Sequence, residues 1–342
     1  MAQAGRVVRA LLIGVAAGIV TMGAASAQGV SYEGKTLRMI IPSGAGGGYD
    51  SYSRVLAAHL ANHLPGKPTV VNQNMPGASG MIGANWAASD AAPKDGTVIV
   101  ATYNALLLEP LWGNPQVKYD PRKFEWIGSI GKQQQICVTW HTNPIKTIEQ
   151  AKSREIIVSS TGATGNSSTM PKMLNAMLGT KFKVVTGYTT SESRLAVERG
   201  ESEGVCGLSY STLKASNPDW IINKRINVLV QTGTKAQQGL EDVPLLINLV
   251  SDADTKKVLS LLAFQDDLGR PYLMPPGTPK EYVAAMRKAF DETLKDPAFL
   301  ADAERSRLEV DPISGAEMEK MIKTAFETPK PLIERASQFK GE

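Results

Sequence analysis

The chain is poor in the residues that build most reactive centres. It carries two cysteines and three histidines in 342 residues, and aromatics make up only 6%. Two cysteines cannot form the disulfide framework of a small secreted scaffold, and three scattered histidines offer little to a metal ion. Charged residues amount to 20% and the formal net charge is +4, so the basic excess of a nucleic-acid binder is missing. After residue 27 no apolar run approaches the roughly 18 residues of a membrane span. Internal repeats, low-complexity tracts and an obvious linker are lacking as well.

What is present starts at the amino end. Arg6 and Arg9 stand without an acid, residues 10–20 are apolar, and small residues follow, ending in Ala25, Ser26 and Ala27. That order is a secretory signal peptide, residues 1–27, with cleavage before Gln28, and its apolar run is too short to cross a bilayer. Losing 27 residues and two arginines leaves 315 residues with a formal charge of about +2. No cysteine follows the leader directly, which excludes an N-terminal lipid anchor. The remaining length suffices for two domains. In an oxidising compartment Cys137 and Cys206 form either one bridge or two separate buried thiols.

Strand and helix patterns alternate. Residues 37–41, 69–71 and 97–101 read as strands, with helices over 51–64 and around 83–89 between them. A second, similar series has strands at 136–140, 155–159, 182–185, 204–208 and 226–230, with helices at 169–178 and 191–198. Amphipathic helices follow at 279–294 and 316–326. This predicts an α/β fold with two parallel-type units and a ligand cleft beyond the carboxyl ends of the strands.

Both glycine-rich loops fall at such ends. The first, Ser43, Gly44, Ala45, Gly46, Gly47, Gly48, Tyr49 and Asp50, joins a strand to a helix. Glycines permit close backbone approach, and the helix start offers unpaired N–H groups, a combination suited to carboxylate or phosphate. Neither the dinucleotide fingerprint nor the P-loop is completed, and a plain strand-to-helix turn is the alternative. Asp50 reads as a helix N-cap. The second loop, residues 159–169, is rich in small hydroxyls and contains Thr164, Gly165, Asn166, Ser167 and Ser168; its alternative is a polar surface loop. Gly77, Ala78 and Ser79 form a third loop after the second strand, and Thr102, Tyr103 and Asn104 end the third strand. All these segments carry neutral donors and no arginine. His59 and His63 have the spacing of two metal ligands without the intervening Glu or a third ligand. Ser211 and Lys214 match a Ser-x-x-Lys pattern without its companion motifs. Neither supports catalysis, and no cofactor or metal is called for.

The ordered series KTLRMIIP (35–42), GGGYD (46–50), VNQNMPGA (71–78), APKDGT (92–97), YDPRKF (119–124), Gly187 with Tyr188, RLAVERGESEG (194–204) and PPGTPK (275–280) resembles the Bug family. These are the TctC-like periplasmic solute-binding receptors of tripartite tricarboxylate transporters. The resemblance covers essentially the whole mature chain. It implies a two-lobed, Venus-flytrap (type II-like) periplasmic-binding-protein fold without enzymatic activity, acting as a monomer. One lobe would comprise 28–132 and 265–342, the other 133–264. A small organic carboxylate would be held by loops 43–50 and 164–168, with Tyr188 near the second wall, and delivered to membrane transporter subunits. In this topology strands 136–140 and 204–208 lie side by side, so Cys137 and Cys206 come within reach. Ser43, Met170 and Cys206 replace residues frequent in the family, and Cys206 would then line an altered pocket wall. The other readings are a ligand-sensing partner of a membrane signalling protein and an exported hydrolase using Ser211.

Overall fold

The computed structural model describes residues 30–162 and 166–339, so the leader, Thr164 and Gly165 lie outside the described residues. The chain opens with β1 (Thr36–Ile41), α1 (Gly48–Leu60), β2 (Thr69–Asn74), α2 (Met81–Ala88), β3 (Val98–Ala101) and β4 (Glu125–Ser129). It continues with β5 (Gln135–Trp140), β6 (Ile156–Ser160), α3 (Asn166–Leu178), β7 (Phe182–Thr186), α4 (Thr190–Arg199), β8 (Gly204–Ser209), α5 (Tyr210–Ser216), α6 (Pro218–Ile222) and β9 (Ile226–Gln231). The last part comprises α7 (Ala253–Leu268), β10 (Pro271–Met274), α8 (Lys280–Thr293), α9 (Pro297–Arg305), β11 (Ile313–Ser314), α10 (Gly315–Phe326) and α11 (Lys330–Phe339).

Two sheets result, ordered β11-β4-β10-β3-β1-β2 and β7-β6-β8-β5-β9. β1 pairs in parallel with both β2 and β3, whereas β10 returns antiparallel between β3 and β4. In the second sheet β6 is parallel to β7 and β8, and β5 is antiparallel to β8 and β9. Helices cover both faces of each sheet, because every central strand is apolar on both sides. Leu37, Met39 and Ile41 of β1 face α1, α8 and α9, while Ile40 faces α2 and α10. Within α1 the residues Tyr52, Leu56 and Leu60 recur every fourth position, forming the stripe that seats the helix on β1.

Cys137 and Cys206 sit opposite each other on β5 and β8, with Cα atoms 3.8 Å apart, and form a disulfide. Both are fully buried under α3, beside Met170 and Leu174. The expectation that Cys206 lines a pocket wall is therefore corrected: its strand position points it into the core.

Two passages of chain link the sheets. Residues 130–133 run beside 266–270, held by Gln133 N–H to Asp266 O (2.9 Å), Ile130 N–H to Arg270 O (3.3 Å) and Arg270 N–H to Gly131 O (3.1 Å). Glycine is required at 269, where φ is +62° and a Cβ would overlap the Gly131 carbonyl. The C-terminal α11 packs on α7 and also reaches α3, so the tail does not rest on the first sheet alone.

The Gly269→Ala substitution should cost about 2 kcal/mol or more, from the left-handed backbone plus the overlap. Gly44→Ala, into open space at an ordinary φ, should stay within about 0.5 kcal/mol. Denaturant unfolding of both variants checks this, and equal losses would refute the close-approach argument. Asp266, buried beside Gln133, accepts the Thr232 hydroxyl. Burial pushes its carboxyl up to about 8, against the Thr232 hydrogen bond and with help from Asp267. A raised carboxyl contributes stability that is full below its unfolded value near 4 and is lost as pH rises to about 8. Subtracting the stability of Asp266→Asn from that of the wild type should give a difference that falls steadily across pH 4 to 8; a flat difference would contradict the burial argument.

Candidate functional site

The first loop is built by its own helix. The N-cap of α1 is Gly47, not Asp50, and Asp50 occupies the first turn. From there Asp50 Oδ2 accepts Gly46 N–H (2.9 Å) and Arg54 Nε (2.9 Å), while Oδ1 accepts Asn74 Nδ2 (2.8 Å). Asn74 also donates to Ser43 O (2.8 Å). This corrects the N-cap expectation: a carboxylate in the first turn reaches back to the entering chain and clamps the loop. Burial opposes ionisation of Asp50, but the bonds from Arg54, Asn74 and Gly46 outweigh it and hold the carboxyl below its usual range. Gly44, Ala45 and Gly46 stand exposed, and the first amides of α1 have no intrahelical acceptor. Ser43 Oγ is buried without a well-formed hydrogen bond.

Two expected ligand residues serve the framework instead. Tyr49 is 4% exposed, and its hydroxyl lies 2.8 Å from Gln133 Oε1 and 3.0 Å from Gly269 O while accepting Asn104 N–H (3.2 Å). Burial raises the Tyr49 phenol more than the nearby Arg270 lowers it, so it stays a neutral donor. The Asn104 carboxamide is likewise engaged, with Gln265 O (2.7 Å) and with Ala105 N–H (2.9 Å). Both pin the first loop and the end of β3 to the crossing chains. Thr102 is buried, and Tyr103 is half-buried with its ring edge against Tyr49, 4.5 Å between centroids. Gly77, Ala78 and Ser79 are exposed, with φ of +128°, +45° and +51°, an uncommon left-handed stretch for Ala and Ser.

In the second loop Ser167 and Ser168 turn inward. Ser160 Oγ lies 2.9 Å from Ser167 Oγ and 2.6 Å from Ser168 Oγ, and Ser167 Oγ accepts Thr161 N–H (3.1 Å). These hydroxyls satisfy one another, leaving Asn166 and Thr161 exposed at the surface. Tyr188 is half-buried beside this cluster, its N–H donating to Ser160 O (3.2 Å).

The two halves meet where α5 approaches α1. A Cβ on Gly48 would sit 3.3 Å from Thr212 Oγ1, so this glycine leaves room for the opposite half. Lys214 Nζ pairs with Glu309 Oε1 (2.6 Å), and Gln237 Nε2 donates to Glu309 Oε2 (2.8 Å), both bridging the sheets. Ser211 Oγ accepts Arg270 (2.9 Å), and with Lys214 committed to Glu309 the Ser-x-x-Lys pattern makes no nucleophile-base pair. His59 bonds to Asp302 of α9 (2.5 Å) and His63 to Asp296, the N-cap of α9 (3.0 Å), as part-buried pairs. Among the described residues no cluster could hold a metal ion. Arg270 and Thr212 carry no signal as site residues in the sequence, because only the fold brings 270 beside 211 and 212.

A family profile described as the tripartite tricarboxylate transporter family receptor matches residues 52–337. A UPF0065 protein of Bordetella bronchiseptica is 23% identical over 290 residues, covering 82% of this chain and 79% of that protein. Protein BugT of Bordetella pertussis is 39% identical over 103 residues, 30% of each chain. Among solved structures, a TctC solute-binding protein from Polaromonas superposes with TM-score 0.67 at 21% identity, over 89% of this chain and 100% of that one. A Rhodopseudomonas palustris protein with adipate gives 0.64 at 16%, over 88% and 97%. MatC of the same organism with bound malate gives 0.59 at 16%, over 89% and 98%. Likeness at this identity shows the fold, two lobes of the periplasmic-binding type. The profile, matched over most of the length, shows more: this chain belongs to the receptor family of the tripartite tricarboxylate transporters.

Proposed function

We propose that this chain is an exported receptor that captures a small organic carboxylate between its two lobes and hands it to membrane transporter subunits. The lobes would be 28–132 with 265–342 and 133–264, and the paired segments 130–133 and 266–270 would be the hinge. The observation that carries the reading is the first loop itself. Its exposed Gly46 is clamped by Asp50, and Gly48 at the start of α1 faces Thr212 of the opposite half. Such a surface offers neutral, preorganised N–H and O–H donors, which suit a carboxylate without an ion pair at the surface. The malate and adipate bound by structural relatives are the chemistry this reading extends to the present chain.

Binding drives closure only if the ligand prefers the closed form, since equal affinity for both states shifts nothing. Ser211 is engaged with Arg270 and Lys214 with Glu309 rather than with each other, and the activity we propose is capture rather than catalysis. Among the described residues no helix is long and apolar enough to cross a membrane. We place the mature chain in the periplasm as a monomer after removal of the leader.

A thermal-shift panel of mono-, di- and tricarboxylates, sugars and metal cations tests the reading, followed by titration calorimetry. At least one carboxylate should raise Tm, and a ligand at 100 times its Kd stabilises by about 2.7 kcal/mol. A shift with sugars or cations and none with any carboxylate would overturn the proposal.

A further inference from the structure

The seam between α1 and α5 hides a cation. Arg270 is 1% exposed, although it lies directly before β10 in the crossing. Its guanidinium donates to Lys132 O (2.9 Å), Ser211 Oγ (2.9 Å) and, at 3.4 Å, Thr212 Oγ1. The Tyr52 ring of α1 lies against it, 4.0 Å from the guanidinium carbon to the ring centroid. Every one of these partners is neutral, no carboxylate among the described residues pairs with it, and its Nε is buried with no acceptor at all. A buried charge is ordinarily paired, because burial without a counter-charge is costly. The stacked ring and three neutral acceptors offset that cost only in part. A buried cation held only by neutral partners at this junction leaves room for a negative charge supplied from elsewhere.

The surrounding groups show where that charge would sit. Thr212, which Arg270 approaches, is also the residue that faces Gly48 in the first loop. Ser211, its stronger partner, lies 3.1 Å from Ser209 Oγ, and Ser209 ends β8 half-buried at the carboxyl edge of the second sheet. A hydroxyl whose oxygen accepts from a cation becomes a better donor through its own proton. The cation is thus linked to both inner surfaces through two hydroxyl-bearing residues.

We propose that Arg270 is the fixed positive charge of the cleft, acting from behind it as a positioning residue. It polarises the Ser211 and Thr212 hydroxyls, and through Ser211 that of Ser209, toward a ligand carboxylate lying between the first loop and α5. When the lobes close, that carboxylate supplies the counter-charge that the folded chain lacks. The ligand class is an organic anion with at least one carboxylate oriented to the α1–α5 seam. This rests on the receptor reading above and assigns its charge selectivity to one residue.

The test uses the mature protein and the dicarboxylates succinate, malate and adipate as probes, with calorimetry for affinity and thermal unfolding of the ligand-free protein for structure. For whichever probe binds the wild type most tightly, Arg270→Gln should weaken binding by at least tenfold, and Arg270→Lys, which keeps the charge, should recover most of it. Losing three hydrogen bonds and the stacked ring will lower the ligand-free Tm of Arg270→Gln somewhat, so affinity is compared on folded protein well below it. Thr212→Val, a milder change, should weaken binding severalfold and serves if the Gln variant does not fold. Binding unchanged within twofold in Arg270→Gln, or in Thr212→Val where the Gln variant is lost, would overturn this inference and leave the receptor reading standing. A lowered ligand-free Tm with intact affinity would also overturn it, as the mark of a structural role. Carboxylates other than these three binding the wild type would move the same comparison to that acid. If no carboxylate binds the wild type, the receptor reading fails and this inference falls with it.

Discussion

The approach of Gly131 to Gly269 is the contact on which the rest of the molecule depends. A side chain at 269 would strike the Gly131 carbonyl, so only glycine lets the two linking passages lie in backbone contact. Tyr49 then uses the Gly269 carbonyl and Gln133 to fasten the start of α1 to that junction. The glycine loop is thereby held at a defined position relative to the crossing. A cleft between lobes needs this arrangement: rigid inner surfaces, and movement confined to a few residues.

Two buried ionisable side chains, Asp266 and Arg270, stand four residues apart near that junction and do not pair. Asp266 takes its bond from Thr232, whereas Arg270 donates to Lys132 O, Ser211 and Thr212. Burial raises the Asp266 carboxyl to about 8. Arg270 meets no carboxylate there among the described residues. A small formal net charge and the carboxylate capture we propose are compatible on this basis, because a charge in a poorly screened interior acts more strongly than several in solvent.

Much of the framework was legible in the sequence. The spacing of Tyr52, Leu56 and Leu60 marked α1, and the apolar runs at 37–41 and 136–140 marked central strands, because periodicity reports burial directly. The two strand-end loops followed from glycine and hydroxyl content. Side-chain direction within them did not. Tyr49, Asn104, Ser167 and Ser168 have the chemistry of ligand residues, yet their polar atoms are taken by partners far along the chain or by one another. Cys206 was assigned to a wall and lies in the core, since one residue of strand register decides the face. Arg270 left no local signal: an arginine before a short strand reads as a surface residue until the fold sets it against Tyr52.

Capture as proposed requires one carboxylate to be held by loops of both lobes at once. Hydrogen–deuterium exchange, with and without the carboxylate that raises Tm, tests it most directly. Slowed exchange is expected in residues 43–50 and, in the same titration, in 159–169 and 207–214, with the outer helices α8 and α9 unchanged. Protection confined to one lobe, or appearing only away from these loops, would contradict it.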